Sequence, residues 1–246
     1  MNQGPGQIAS TLNGLMQQLD TVSNNIANSG TVGFKRSMTR FSTELEKHIN
    51  QLSPEEALNA VPIKARHALD LSQGQLVHTG NSLDIALDGR GYLVLETPEG
   101  PLYTRNGILQ VNQLGQLVDS AGRLIAGQNG PITIPPTINP QNVQIGMDGT
   151  LTADGTDLGR LRLVDFGDQE NQLVPVGMGA LQAPAGLVPS AAAELTVMQG
   201  YQEGSNVKMI EELINMMSIS RMYETGVGLL RKQRDNTQAL LSIANG

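Results

Sequence analysis

Apolar residues near the amino terminus fall at Ile8, Leu12, Leu15, Leu19, Val22 and Ile26, with spacings of four, three, four, three and four. That is an a/d seam over roughly three heptads, the pattern of a helix that packs along another helix. The helix is expected to start after Gly6 and to run to about Asn28. Ser23, Asn24, Asn25 and Asn28 suit a helix end with polar contacts, because their short side chains compete for backbone hydrogen bonds. Ser29-Gly30-Thr31-Val32-Gly33 then breaks the helix. At the other end, residues 207–244 hold no proline and only two glycines, Gly226 and Gly228. Met209, Leu213, Met216, Tyr223, Val227, Leu230, Leu241 and Ala244 lie on one three-four stripe, with polar breaks at Ser220, Arg234 and Thr237. Ile210, Ile214 and Met217 widen its front half. Neither helix can bury its stripe alone, so the two ends are expected to pair with each other or with neighbouring copies. A helical hairpin inside an ordinary globular domain is the alternative that the pattern leaves open.

The middle of the chain has a different texture. From Leu71 onward, short apolar runs are punctuated by turn dipeptides at roughly the 8–12-residue spacing of all-β domains. Strands are expected at residues 83–87, 92–96, 102–104, 108–111, 117–119, 132–134, 143–145, 151–152, 160–165, 173–176 and 195–198. Asn106-Gly107, Asp88-Gly89, Asp148-Gly149 and Asp154-Gly155 supply hairpin chemistry, since Asn, Asp and Gly tolerate positive φ. Pro131, Pro135, Pro136 and Pro140 confine their segment to an edge or an extended loop, and residues 184–193 read as a surface loop. Between helix and strands, residues 37–52 have the spacing of a short amphipathic helix (Met38, Phe41, Leu45, Ile49), and Pro54-Glu55-Glu56 resembles a second helix start. Residues 62–71 read as extended.

These patterns give an α+β architecture in which amino- and carboxy-terminal helices pair as a coiled coil around an inserted, mainly antiparallel β-domain. The expected boundaries are 1–30 and 205–246 for the helical part, 31–70 for a connector and 71–204 for an outer β-domain.

Composition narrows the function classes. The 246 residues carry a formal charge of -7, so wholesale nucleic-acid binding is not expected. There is no cysteine, which excludes disulfides and thiol chemistry. No apolar run approaches the roughly 18 residues of a membrane span, and the first residues lack the basic and apolar regions of a cleaved signal peptide. No catalytic constellation is visible either. His48, His67 and His78 stand alone, without ligand spacing, and no phosphate loop or nucleophile elbow occurs. Gly89-Arg90-Gly91 lacks the third glycine of a dinucleotide loop. Asp84/Asp88 and Asp148/Asp154 lack the order of a calcium loop. The expectation is a protein without catalysis and without a cofactor or metal.

Several stretches together resemble the bacterial flagellar rod and hook family of axial proteins. Asn24-Asn25-Ile26-Ala27-Asn28 followed by Thr31-Val32-Gly33-Phe34-Lys35-Arg36 is similar to that family's amino-terminal signature. Gly74-Gln75-Leu76, Thr79 through Leu87, Gly89-x-Gly91-Tyr92, Tyr103-Thr104-Arg105-Asn106-Gly107 and Leu114-Gly115-Gln116-Leu117-Val118 resemble its β-domain. Gly200-Tyr201-x-Glu203-x-Ser205-Asn206-Val207, Glu211-Glu212-Leu213-Ile214 and Arg221-x-Tyr223-Glu224 resemble its carboxy-terminal signature. The matches cover nearly the whole chain in order. They depart at Asn2-Gln3-Gly4-Pro5-Gly6, where the family begins its helix with apolar and aromatic residues.

The resemblance implies a structural subunit of the basal-body rod, exported by the flagellar type III apparatus and placed across the periplasm. Its implied partners are copies of itself and other axial proteins. The terminal helices would form an inner coiled-coil layer and assemble helically into a shaft that carries torque from motor to hook. The implied assembly interface comprises Ile8, Leu12, Leu15, Leu19, Val22, Asn25, Ile26, Asn28, Gly33, Phe34, Ser205, Asn206, Val207, Glu212, Leu213, Met216, Arg221, Tyr223, Val227 and Leu230. The short segment between Arg36 and Leu71 favours a proximal over a distal rod position. A competing reading is an oligomeric β-domain that binds cell-wall glycan or a partner protein. Four tyrosines and three phenylalanines furnish few stacking groups for a glycan groove.

Overall fold

The computed structural model describes residues 5–43, 63–192 and 194–244. It is an α+β protein whose contacts divide into two compact units, each discontinuous in sequence. Met1–Ala27, Ser37–Leu69 and Lys208–Gly246 form a mainly helical unit, and Asn28–Arg36 with Asp70–Val207 form a β unit.

The helical unit contains the amino-terminal helix, Pro5–Ala27, and the carboxy-terminal helix, Met209–Ala244. Pro5 opens the first helix, where a missing N–H costs nothing. The two helices pack along each other. On the second helix the covered line is Glu212, Met216, Ile219, Tyr223, Gly226, Leu230 and Gln233, an unbroken alternation of four- and three-residue steps. This line shares Met216, Tyr223 and Leu230 with the expected stripe. It adds Glu212, Ile219 and Gly226, with Ser220 and Val227 half-buried beside it and Leu213 exposed. The reason is steric: Gly226 lets the first helix approach, and a Cβ there would stand 2.8 Å from Leu12 Cδ2. The most apolar line on the helix therefore overlaps the covered seam at Met216, Tyr223 and Leu230 and runs beside it elsewhere.

Residues 37–43 correct a second expectation. Instead of a helix, Ser37–Thr43 is a strand paired antiparallel with Ile63–Leu69. Thr39, Phe41 and Thr43 favour extended backbone, and pairing with a second strand outweighed the three-four spacing of Met38 and Phe41. The rest of that expected helix, the second helix start at Pro54 and the side chain of Ile8 lie outside the described residues. The strand pair packs on the amino-terminal helix. There Thr21 and Thr39 hydroxyls meet at 2.8 Å, and the buried Asn25 amide donates to and accepts from the Ser37 backbone, both at 2.8 Å.

The β unit is mainly antiparallel. Its largest sheet runs, edge to edge, through Val174–Gly177, Ala180–Gln182, Gly100–Thr104, Tyr92–Thr97, Leu124–Gly127, Leu117–Val118 and Gln110–Val111. A three-stranded sheet follows, built from Val143–Ile145, Thr150–Ala153 and Thr156–Arg160. Two further pairs join distant parts of the chain: Ile85–Asp88 with Thr196–Gln199, and Leu76–His78 with Tyr201–Glu203. One core gathers Ile85, Leu87, Leu93, Leu95, Leu117, Ile125, Leu151 and Leu161, all buried.

Two of the four expected turns close hairpins, at Asp148-Gly149 and Asp154-Gly155, and in the latter both residues take positive φ. Asn106-Gly107 closes none. The Asn106 carboxamide instead accepts from Ile108 N, and Gly107 abuts the Ile85 backbone so closely that a Cβ would overlap its carbonyl oxygen. Asp88-Gly89 likewise connects strands that pair elsewhere. Residues 132–134 form a single bridge through Thr133 rather than a strand, and residues 190–191 within the expected loop form one.

Candidate functional site

Strand Tyr201–Glu203 delivers a carboxylate to the interior of the β unit, and Glu203 is 0% exposed. Two cations meet it there. Lys35 Nζ lies 2.6 Å from one carboxylate oxygen, and Arg105 Nε lies 2.7 Å from the other. Gly74 N donates to the first oxygen at 2.9 Å. Arg105 also donates to the carbonyls of Leu87, Gly89 and Gly91, and Lys35 also donates to Ser72 O. A buried charge is tolerated only when paired and hydrogen-bonded in this way. Burial holds the Lys35 ammonium below the usual lysine range, and the neighbouring Glu203 offsets part of that effect.

Three stretches that are far apart in sequence build this cluster, and each belongs to one of the motifs noted above. The strap residues 28–36 arrive with Gly33, whose N–H donates to Glu203 O at 2.7 Å. Gly33 has φ of +70°, and a Cβ would stand 2.6 Å from Asn106 N, so the strap docks backbone against backbone. Gly74 makes a similar approach to Gly204. Asn206 completes the arrangement: its Oδ1 accepts from Arg36 N at 2.7 Å, and its Nδ2 donates to the carbonyls of Asp70 and Ser72. Asp70 N in turn donates to Arg36 O at 2.8 Å. The β-unit residues Arg36, Asp70 and Asn206 are thus tied to one another.

The residues expected to carry assembly distribute unevenly. Leu12, Val22, Asn25, Gly33, Val207 and Glu212 are buried. Leu15, Leu19, Ile26, Asn28, Phe34, Ser205, Asn206, Met216, Tyr223, Val227 and Leu230 are half-buried, whereas Leu213 and Arg221 are exposed. Lys35, Arg105 and Glu203 were not singled out in advance as site residues. Their positions within recurring motifs were visible, but nothing in the spacing shows that residues 35, 105 and 203 meet.

Outside the covered seam, the front of the carboxy-terminal helix presents Ile210 (75% exposed), Ile214 (53%) and Met217 (55%), flanked by Met209 and Leu213. Among the described residues, no helix is long and apolar enough to cross a membrane.

Two terminal helices that pack along each other, with a β unit between them in sequence, make this an α+β protein whose chain ends come together in one unit. Residues 8–35 match the model described as "Flagella basal body rod protein", residues 86–153 match "Flagellar hook protein FlgE/F/G D1 domain", and residues 198–243 match "Flagellar basal body rod FlgEFG protein C-terminal". The flagellar basal-body rod protein FlgF of Caulobacter vibrioides is 31% identical over 92% of this chain and 89% of its own. FlgF of Salmonella typhimurium is 32% identical over 94% of this chain and 92% of its own. The rod protein FlgG of Buchnera aphidicola is 32% identical over 84% and 86%. The chain belongs to the flagellar basal-body rod protein family, and its role is that of a structural rod subunit.

Proposed function

We propose that this chain assembles helically with copies of itself and other axial proteins through its terminal helices. In this reading residues 1–30 and 205–246 pair as a coiled coil and form the assembly domain. Residues 31–70 serve as a connector, and residues 71–204 form an outer layer. The shaft so formed carries torque from motor to hook and crosses the periplasm, after export of its subunits by the flagellar type III apparatus. The interface draws on the twenty residues named from the sequence, with exposed Leu213 facing neighbouring copies while Met216 and Leu230 lie on the seam between the chain's own helices.

One observation carries this reading: the exposed apolar line Ile210, Leu213, Ile214 and Met217 on a helix whose opposite side is already covered. Burying each such side chain gains roughly 1.5–3 kcal/mol, so a free surface of this kind favours association. Contacts that repeat head to tail without closing give an open filament. A proximal rod position is supported by the fuller overlap with the two FlgF proteins than with FlgG.

The test is assembly in cells carrying Leu213→Asp or Leu19→Asp. Leu213 is exposed, so its variant is expected to fold while rods and motility are lost. Normal rods with Leu213→Asp would remove the exposed line from the interface.

A further inference from the structure

We propose that the Lys35–Glu203–Arg105 cluster is a polar latch that holds the strap Asn28–Arg36 on the β unit, and that in the rod this latch bears load. The load-bearing part rests on the rod-subunit reading. The latch itself rests on geometry alone. The strap is attached mainly by polar bonds: Gly33 N to Glu203 O, Lys35 Nζ to the Glu203 carboxylate and Ser72 O, and Arg36 N to Asn206 Oδ1. Its large apolar side chains, Val32 and Phe34, are only half-buried, and neither belongs to the β core. Three of these bonds end on residues 203 and 206, three residues apart. Glu203 is in turn fixed by Arg105, which also donates to the carbonyls of Leu87, Gly89 and Gly91.

Two properties follow. The strap's side-chain anchors include the Glu203 carboxylate and the Asn206 carboxamide, neither of which is part of the apolar core, so the strap can loosen while that core stays closed. Three chain ends of the β unit, at Arg36, Asp70 and Val207, also converge on this same network through Asn206 and its neighbours. A pull on any of these ends reaches the latch before it reaches the sheets.

Trypsin reads the latch directly on the purified full chain. The bonds after Lys35 and Arg36 lie in the strap, and Lys35 is buried. In the wild-type chain they are expected to be cleaved slowly. In Glu203→Gln and in Lys35→Met, which keeps the Arg36 site, cleavage after Arg36 should accelerate at least about tenfold, because proteolysis tracks the open population. Val143→Ala weakens the β core without touching the strap and should leave that rate near wild type. If Glu203→Gln does not fold, Lys35→Met and Asn206→Ala carry the measurement. An unchanged rate in the folded latch variants, or an equal acceleration in Val143→Ala, overturns the proposal.

The load arm uses motile cells. With Lys35→Met, swimming should be near normal in dilute medium, and filaments should be shed in viscous medium. Equal swimming in both media would overturn the load-bearing role while leaving the rod reading intact. Cells that build no rods would also overturn it, because the latch would then be an assembly requirement.

Discussion

The two units bury their apolar residues by different rules. In the β unit, Ile85, Leu87, Leu93, Leu95, Leu117 and Ile125 are each 0% exposed, and the one fully buried carboxylate has two cations on it. In the helical unit one face of the carboxy-terminal helix is covered, and Ile210, Ile214 and Met217 on the other are more than half exposed. The β unit closes a core of its own, with Leu114, Met147, Met178 and Val188 exposed outside that core. The helical unit leaves a line of apolar side chains open along one helix, at Ile210, Leu213, Ile214 and Met217. A protein that must stay folded alone and yet polymerise can divide the two tasks this way: one unit supplies stability, and the other supplies an unfinished interface.

The comparison breaks hardest at Glu203. Glu203→Ala leaves Lys35 and Arg105 buried without their anion and should cost about 3–5 kcal/mol, read as a lowered midpoint in urea unfolding of the β unit. Leu95→Ala should cost about 2–5 kcal/mol through the cavity it leaves. Gly33→Ala meets both positive φ and the Asn106 backbone. It should cost about 1–3 kcal/mol of strain, and hydrogen exchange should show the loss first in residues 28–36. Met217→Asp sits on the open face, so monomer stability should change by no more than about 0.5 kcal/mol, even as co-sedimentation with rod structures is lost. A large drop in monomer stability for Met217→Asp would mean that the helical unit is closed after all.

The smallest expected effect concerns pH. Burial, with a hydrogen bond to Asp165, raises the Glu170 carboxyl above its ordinary value of 4.5. The folded chain therefore holds this proton more tightly than the unfolded chain does. Stability from this group is present at low pH and falls as pH rises through the folded value. Glu170→Gln should flatten that part of the stability-versus-pH curve, and unchanged curvature in parallel titrations of the two proteins would count against it.

The sequence made some of this legible and hid the rest for physical reasons. Helix extents were readable because periodicity and helix breakers act locally: residues 5–27 and 209–244 lie within a few positions of the expected ends. The Asp154-Gly155 hairpin was readable for the same reason, since its turn chemistry is self-contained. Ser37–Thr43 misled because a seven-residue segment with both spacings is decided by its partner strand. Asn106-Gly107 misled because its glycine answers to the Ile85 backbone, a contact that local sequence does not encode. The seam at Glu212, Ile219 and Gly226 was missed because hydrophobicity alone does not credit a glycine for close approach. The ion cluster was the least legible feature, since it joins residues 35, 105 and 203 through tertiary pairing alone.

Leu12 and Gly226, which touch in the helical unit, are separated by almost the whole chain. Closing so long a loop from a random coil is entropically expensive, with each doubling of length adding about 0.6 kcal/mol. The intervening β unit changes the statistics: once it has folded, with Arg36, Asp70 and Asn206 tied together, the slack between the helices shrinks to short tails. Loop entropy therefore favours sheets that form before the helices pair. On that order the helical surface, with Ile210, Leu213, Ile214 and Met217 open, is the last part of the molecule to take shape.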